Sequence, residues 1–183
     1  MGPALLLAVK RHFIHALVLT FCMLPLQCAT LERLSLDDMV AKSTSIVRAK
    51  VTGSQAAFSG PVIYTHYRIQ VTEQLKGKGV SEFVVPGGVA NNVSQFFAGA
   101  PQFQPGDDYV FFLWTSKAGL TQVIGLTQGL FSVAADGTAD PSVTRAASNE
   151  LMLDARTAQP VKDETLVMRL SELRSQVAKG AAQ

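Results

Sequence analysis

Few side chains in this chain are equipped for chemistry. His66 stands within Ile63-Tyr64-Thr65-His66-Tyr67-Arg68-Ile69-Gln70-Val71-Thr72. Because side chains alternate along an extended strand, Tyr64, His66 and Arg68 fall on one face. Imidazole titrates nearest neutrality, which makes His66 the first candidate for a general base. A hydrolase would also need a serine on a strained turn and an orienting acid, and the sequence holds no G-x-S-x-G motif. The plainer reading of Tyr64, His66 and Arg68 is a polar and aromatic binding patch on the wet face of an amphipathic strand.

Metal chemistry finds little to work with. Cys22, Cys28, His12 and His15 all precede residue 30, so past that point His66 is the lone imidazole and no thiolate remains for zinc. Asp107-Asp108 lacks the spacing that wraps a loop around calcium, and reads as a turn acid after Pro105-Gly106 followed by a strand-start charge. Gly77/Gly79 and Gly87-Gly88 lack the strand-to-helix setting of a phosphate loop. No catalytic residue, metal or cofactor is called for. Asn92-Val93-Ser94 matches the glycosylation sequon, which matters only in a eukaryotic secretory pathway.

The first segment sets a destination. Lys10, Arg11 and His12 precede the apolar run Phe13–Leu24, which Pro25 ends before the small residues Cys28 and Ala29. This is the pattern of a signal peptide over residues 1–29, cleaved after Ala29, with lipid attachment at Cys28 as the lesser alternative. The run is too short and too interrupted for a membrane-spanning helix, so no stable span is expected after processing. The expected location is secreted or periplasmic. Cleavage removes Lys10 and Arg11 from the sixteen basic residues and none of the fourteen acidic ones, leaving fourteen of each. A chain so balanced exerts no general pull on a phosphate backbone, which argues against nucleic acid as a partner. With both cysteines gone, the core must hold without a disulfide, and about 150 residues suffice for that.

The elements that position these residues are mostly strands, and residues 30–183 are expected to form a single domain. Hydrophobic residues make up 48% of the chain against 16% charged, which excludes disorder. Asp107–Trp114 places Tyr109, Phe111 and Leu113 on one face and Val110, Phe112 and Trp114 on the other, so it should be buried on both sides, inside a barrel or under a helix. Its expected hairpin partner is Leu120–Val133, with bends at Gly125 and Gly129. Ser45–Val51 and Ser81–Pro86 read as further strands. Ser35 followed by Asp38 predicts a short capped helix over 35–42. Leu166, Leu170, Leu173 and Val177 predict an amphipathic helix over 161–178, and a short helix is expected over 149–156. Residues 87–106 read as a long loop whose phenylalanines fold back onto the barrel.

Ile46-Val47-Arg48-Ala49-Lys50-Val51, then Tyr67-Arg68-Ile69-Gln70-Val71 with Leu75-Lys76-Gly77, and finally Asp108-Tyr109-Val110-Phe111-Phe112-Leu113 resemble the tissue inhibitor of metalloproteinases and netrin-like group over residues 45 to about 134. The resemblance implies an OB-like five-stranded antiparallel barrel with the short N-terminal helix and the C-terminal amphipathic helix outside it. The inhibitors of that group use an N-terminal Cys-x-Cys to chelate zinc, whereas this chain has Cys28-Ala29-Thr30, so inhibition does not follow from the resemblance. The leading expectation is an exported, non-catalytic module that binds another exported protein through the loop over 87–106 and the Tyr64/His66/Arg68 face. The alternatives are a metalloprotease inhibitor acting through its processed N-terminus and a hydrolase with His66 as base.

Overall fold

A computed structural model describes residues 30–182. The expected export segment, with both cysteines, lies outside the described residues. In chain order the first elements are β1 (Thr30–Glu32), α1 (Leu36–Lys42), β2 (Ser45–Ser59), β3 (Val62–Gly77), β4 (Glu82–Pro86), β5 (Gly88–Ala90) and β6 (Val93–Gln95). There follow β7 (Asp108–Thr115), β8 (Thr121–Val123), β9 (Leu130–Val133), β10 (Ser142–Arg145), β11 (Leu151–Leu153), β12 (Pro160–Val161), β13 (Leu166–Arg169) and α2 (Leu170–Ala181). The fold is mainly β.

β7 is the strand on which the rest depends. One edge pairs antiparallel with β2, from Ser45 opposite Leu113 to Lys50 opposite Asp108. The other edge is shared, because Leu113–Thr115 pair with β8 and Tyr109–Phe111 with β9. From β2 the pairing passes to β3, then β4, then in parallel to β8 at Val84 opposite Gln122, and so back to β7. On the β9 side the sheet continues through β10 to β13.

The two apolar faces of β7 therefore belong to two cores. Phe111 and Leu113 point into the ring with Val47, Val51, Tyr67, Phe83 and Phe103. Tyr67 and Phe83 stack there and the other aromatic pairs meet edge-on or tilted, with Phe83 and Phe111 centroids 4.9 Å apart and Phe103 and Tyr109 5.4 Å apart. Val110 and Phe112 point outward, with Ile46 and Phe131, beneath Met39 and Val40 of α1 and Leu170, Leu173 and Val177 of α2. Trp114, at the strand end, remains exposed. Gly180 lets the helices close on each other, since a Cβ there would lie 2.8 Å from Val40.

The expected helix over 35–42 forms with a capping box: the Asp38 N–H donates to Ser35 Oγ, and the Ser35 N–H donates to the Asp38 carboxylate, each at 3.0 Å. The final helix is shorter than 161–178. Residues 160–161 and 166–169 are strands, and helix begins only at Leu170. Val167 and Arg169 are exposed while Leu166 and Met168 pack on the outer core, a period of two that Leu166 disguised as part of a helical stripe. The helix expected over 149–156 is absent, because Leu151–Leu153 pair in parallel with Thr30–Glu32. The partner expected over 120–133 is broken into β8 and β9 by turns at residues 124–129, where Gly125 has φ +59°.

Candidate functional site

β2 and β3 are far longer than the ring needs. Past Lys50, where β2 leaves β7, the two strands continue as a hairpin arm from Gly53 opposite Arg68 to Ser59 opposite Val62. The register puts Gly53, Gln55 and Ala57 of β2 and Tyr64, His66 and Arg68 of β3 on one face of this arm, as alternation predicted for the β3 residues.

On that face Gln55, Ala57, His66, Arg68 and Glu82 line an open cleft of about 340 Å³. His66 Nδ1 lies 2.8 Å from Glu82 Oε1, with both side chains partly exposed. Glu82 was not legible as a site residue, because its partnership with His66 depends on β4 pairing beside β3. Arg68 faces Glu82 across the strands but makes no ion pair among the described residues; its guanidinium lies over Gly53 instead, where a Cβ would stand 3.1 Å from Nη2. Tyr64 shares the face without lining the cleft. No serine, threonine or tyrosine hydroxyl hydrogen-bonds to His66 among the described residues, so its one partner is a carboxylate. Among the described residues no cluster of three or more His, Cys, Asp or Glu side chains is arranged to hold a metal.

The other face of the arm is covered by the segment read as a loop. Residues 88–95 fold into the β5–β6 hairpin, closed by Asn91 (φ +50°) and Asn92 (φ +63°), an Asn-Asn pair suited to a left-handed turn. Gln95 secures it to the arm: its Oε1 accepts from the Ile63 N–H at 2.7 Å and its Nε2 donates to the Pro61 carbonyl at 2.9 Å. Thr65 Oγ1 donates to the Gly87 carbonyl at 2.8 Å. Gly88 lies so close that a Cβ would stand 2.5 Å from Thr65 Oγ1.

Only one of the loop's phenylalanines folds back as expected. Phe103 is buried in the ring, but Phe96 is 84% exposed and Val89 66%, with Val93, Phe97 and nearby Phe58 also exposed. Val89 pairs with Ser94, and alternation carries Phe96 to the same side, away from the arm. Residues 86–106 carry no charged side chain, so the tip is an uncharged apolar surface on a braced support.

Elsewhere Asp108 accepts two hydrogen bonds from Arg48, at 2.8 and 3.2 Å, which raise the guanidinium's pKa, and Asp107 accepts from the Gln104 N–H at 2.8 Å. Both acids have the structural uses expected of them. A larger cleft of about 500 Å³ opens between residues 99–103 and 146–150, and Tyr109 at its edge has its phenol pKa raised by burial and by the Asp107 charge. Comparison with protein-family models and with curated proteins finds no match for this chain.

Proposed function

We propose that this chain is an exported, non-catalytic protein-interaction module built on an OB-like five-stranded barrel, and that it docks through the β5–β6 tip. The ring β7-β2-β3-β4-β8, antiparallel except between β4 and β8, with helices outside, supports the barrel reading. The observation that carries the function is Phe96 held 84% exposed on a hairpin braced by Gln95, beside Val89, in a segment without charge. Leaving such side chains in water forfeits about 1.5–3 kcal/mol each, which burial against a partner recovers. The complementary surface is an apolar pocket on another exported protein. A lipid surface fits less well, because interfacial segments pair apolar residues with lysine and arginine and residues 86–106 contain neither.

The N-terminal alternative has less support. If cleavage follows Ala29, Thr30 becomes the terminus, yet it is already a strand residue paired with Leu151. Capture from the secreted or periplasmic fraction tests the docking reading. Wild-type bait should retain a protein that Phe96→Ser bait releases; equal recovery by both baits, or recovery of nothing by either, rejects it.

A further inference from the structure

The hairpin arm leaves one backbone edge open. The Val51 N–H donates to the Asp107 carbonyl at 2.9 Å and the Gly106 N–H to the Val51 carbonyl at 2.8 Å; beyond that point Gly53–Ser59 pair only with β3 among the described residues. Exposed edges of this kind are ordinarily protected by lysine, proline or an inward charge. Gly53-Ser54-Gln55-Ala56-Ala57-Phe58-Ser59 has none of these. The β5–β6 hairpin lies across one face of the arm and pairs with neither of its strands, so the edge stays uncovered.

Two features say what would fit there. On one face, Arg68 reaches over the notch left by Gly53 towards the open edge, while Glu82 is taken by His66; Lys50, on the same face, also makes no ion pair among the described residues. On the other face, Phe58 stands 42% exposed. A strand laid beside β2 would therefore meet cations with one set of side chains and an aromatic ring with the alternate set. A second copy of this chain pairing through the same edge could not supply the carboxylate, since Thr52–Ser59 contains no acid.

We infer that an extended segment of the exported partner, alternating acidic and apolar residues, adds as a strand along Gly53–Ser59 with a carboxylate on Arg68. Main-chain hydrogen bonds would give affinity, and the Arg68 pair would fix register. This rests on the docking reading above and adds a second contact to it.

The probe is a capped synthetic peptide as long as Gly53–Ser59, alternating valine and glutamate, with a valine–lysine peptide as control. The glutamate peptide should slow amide exchange along Gly53–Ser59 by about tenfold or more while the lysine peptide does not. Arg68→Ala should weaken binding about tenfold, and so should Gln55→Glu, which places a competing carboxylate beside the guanidinium at an exposed position. Equal binding of both peptides, binding without protection of these amides, or protection by self-association without peptide overturns the inference. In the capture experiment, a partner lost by Phe96→Ser but kept by Gln55→Glu rejects strand addition alone, whereas indifference to Phe96→Ser rejects the docking reading itself.

Discussion

Phe96 and Phe103 belong to one uncharged segment and face opposite fates, which their types and spacing did not reveal. What draws Phe103 inward is a socket of Tyr67, Phe83, Tyr109 and Phe111, which forms only when β3, β4 and β7 close the ring. Phe103→Ala should cost about 3–5 kcal/mol, whereas Phe96→Ser should stay within about 0.5 kcal/mol of wild type, as chemical denaturation would measure. The buried Arg145–Asp163 pair was equally hidden, because nothing local marks either residue. Arg145 donates to the Asp163 carboxylate at 2.8 and 3.1 Å, and the Ser148 N–H donates to the same group at 2.9 Å. Burial pushes the Asp163 carboxyl pKa up, but the Arg145 and Ser148 hydrogen bonds outweigh it and hold the group below its ordinary value. A pKa lower in the folded than in the unfolded chain adds stability in full above the unfolded value, about 4, and loses it as pH falls through the folded one. Asp163→Ala should therefore cost about 3–5 kcal/mol at pH 7 by leaving Arg145 buried and unpaired. Its gap from wild type should narrow below about pH 4. A gap that widens on acidification would contradict this assignment.

At the scale of elements, alternation and capping were legible wherever one element decided its own environment. The long alternation of β3, the double-faced β7 and the Ser35 cap each follow from a few adjacent residues. Elements whose nature is set by a distant partner were not: Leu151–Leu153 become a strand because Thr30–Glu32 lie beside them, and Leu166–Arg169 because β10 does. β1 shows how such an element is held. Gln128, almost wholly buried, accepts from the Leu34 N–H at 2.8 Å and donates to the Glu32 carbonyl at 2.9 Å, fastening the strand and its exit to the turns after β8. Gln128→Leu keeps the bulk but orphans both backbone groups, a cost of about 1–3 kcal/mol. It should appear as faster amide exchange confined to Leu34 and the β1–β11 pairing, and uniform acceleration across β2 and β3 would show that Gln128 supports the ring instead.

At the scale of the described residues, two cores lie on opposite faces of the eight-stranded sheet, and β7 with β2 takes part in both. Val47 and Phe111 fill the ring while Ile46 and Phe112 face the helices, each pair cross-strand neighbours in a single register. Neither core can lose β7 without exposing the other, so the sheet should bind them into one cooperative unit although their side chains lie on opposite faces. Phe111→Ala and Phe112→Ala should each cost about 3–5 kcal/mol. Both variants should still unfold in one calorimetric transition, with van't Hoff and calorimetric enthalpies equal. A variant that melts in two steps, its helices leaving before the ring, would make the helical face a separate layer. Gly53–Ser59 and the β5–β6 tip contribute no residue to either core, so substitutions at their surfaces should leave the cooperativity of the sheet unchanged.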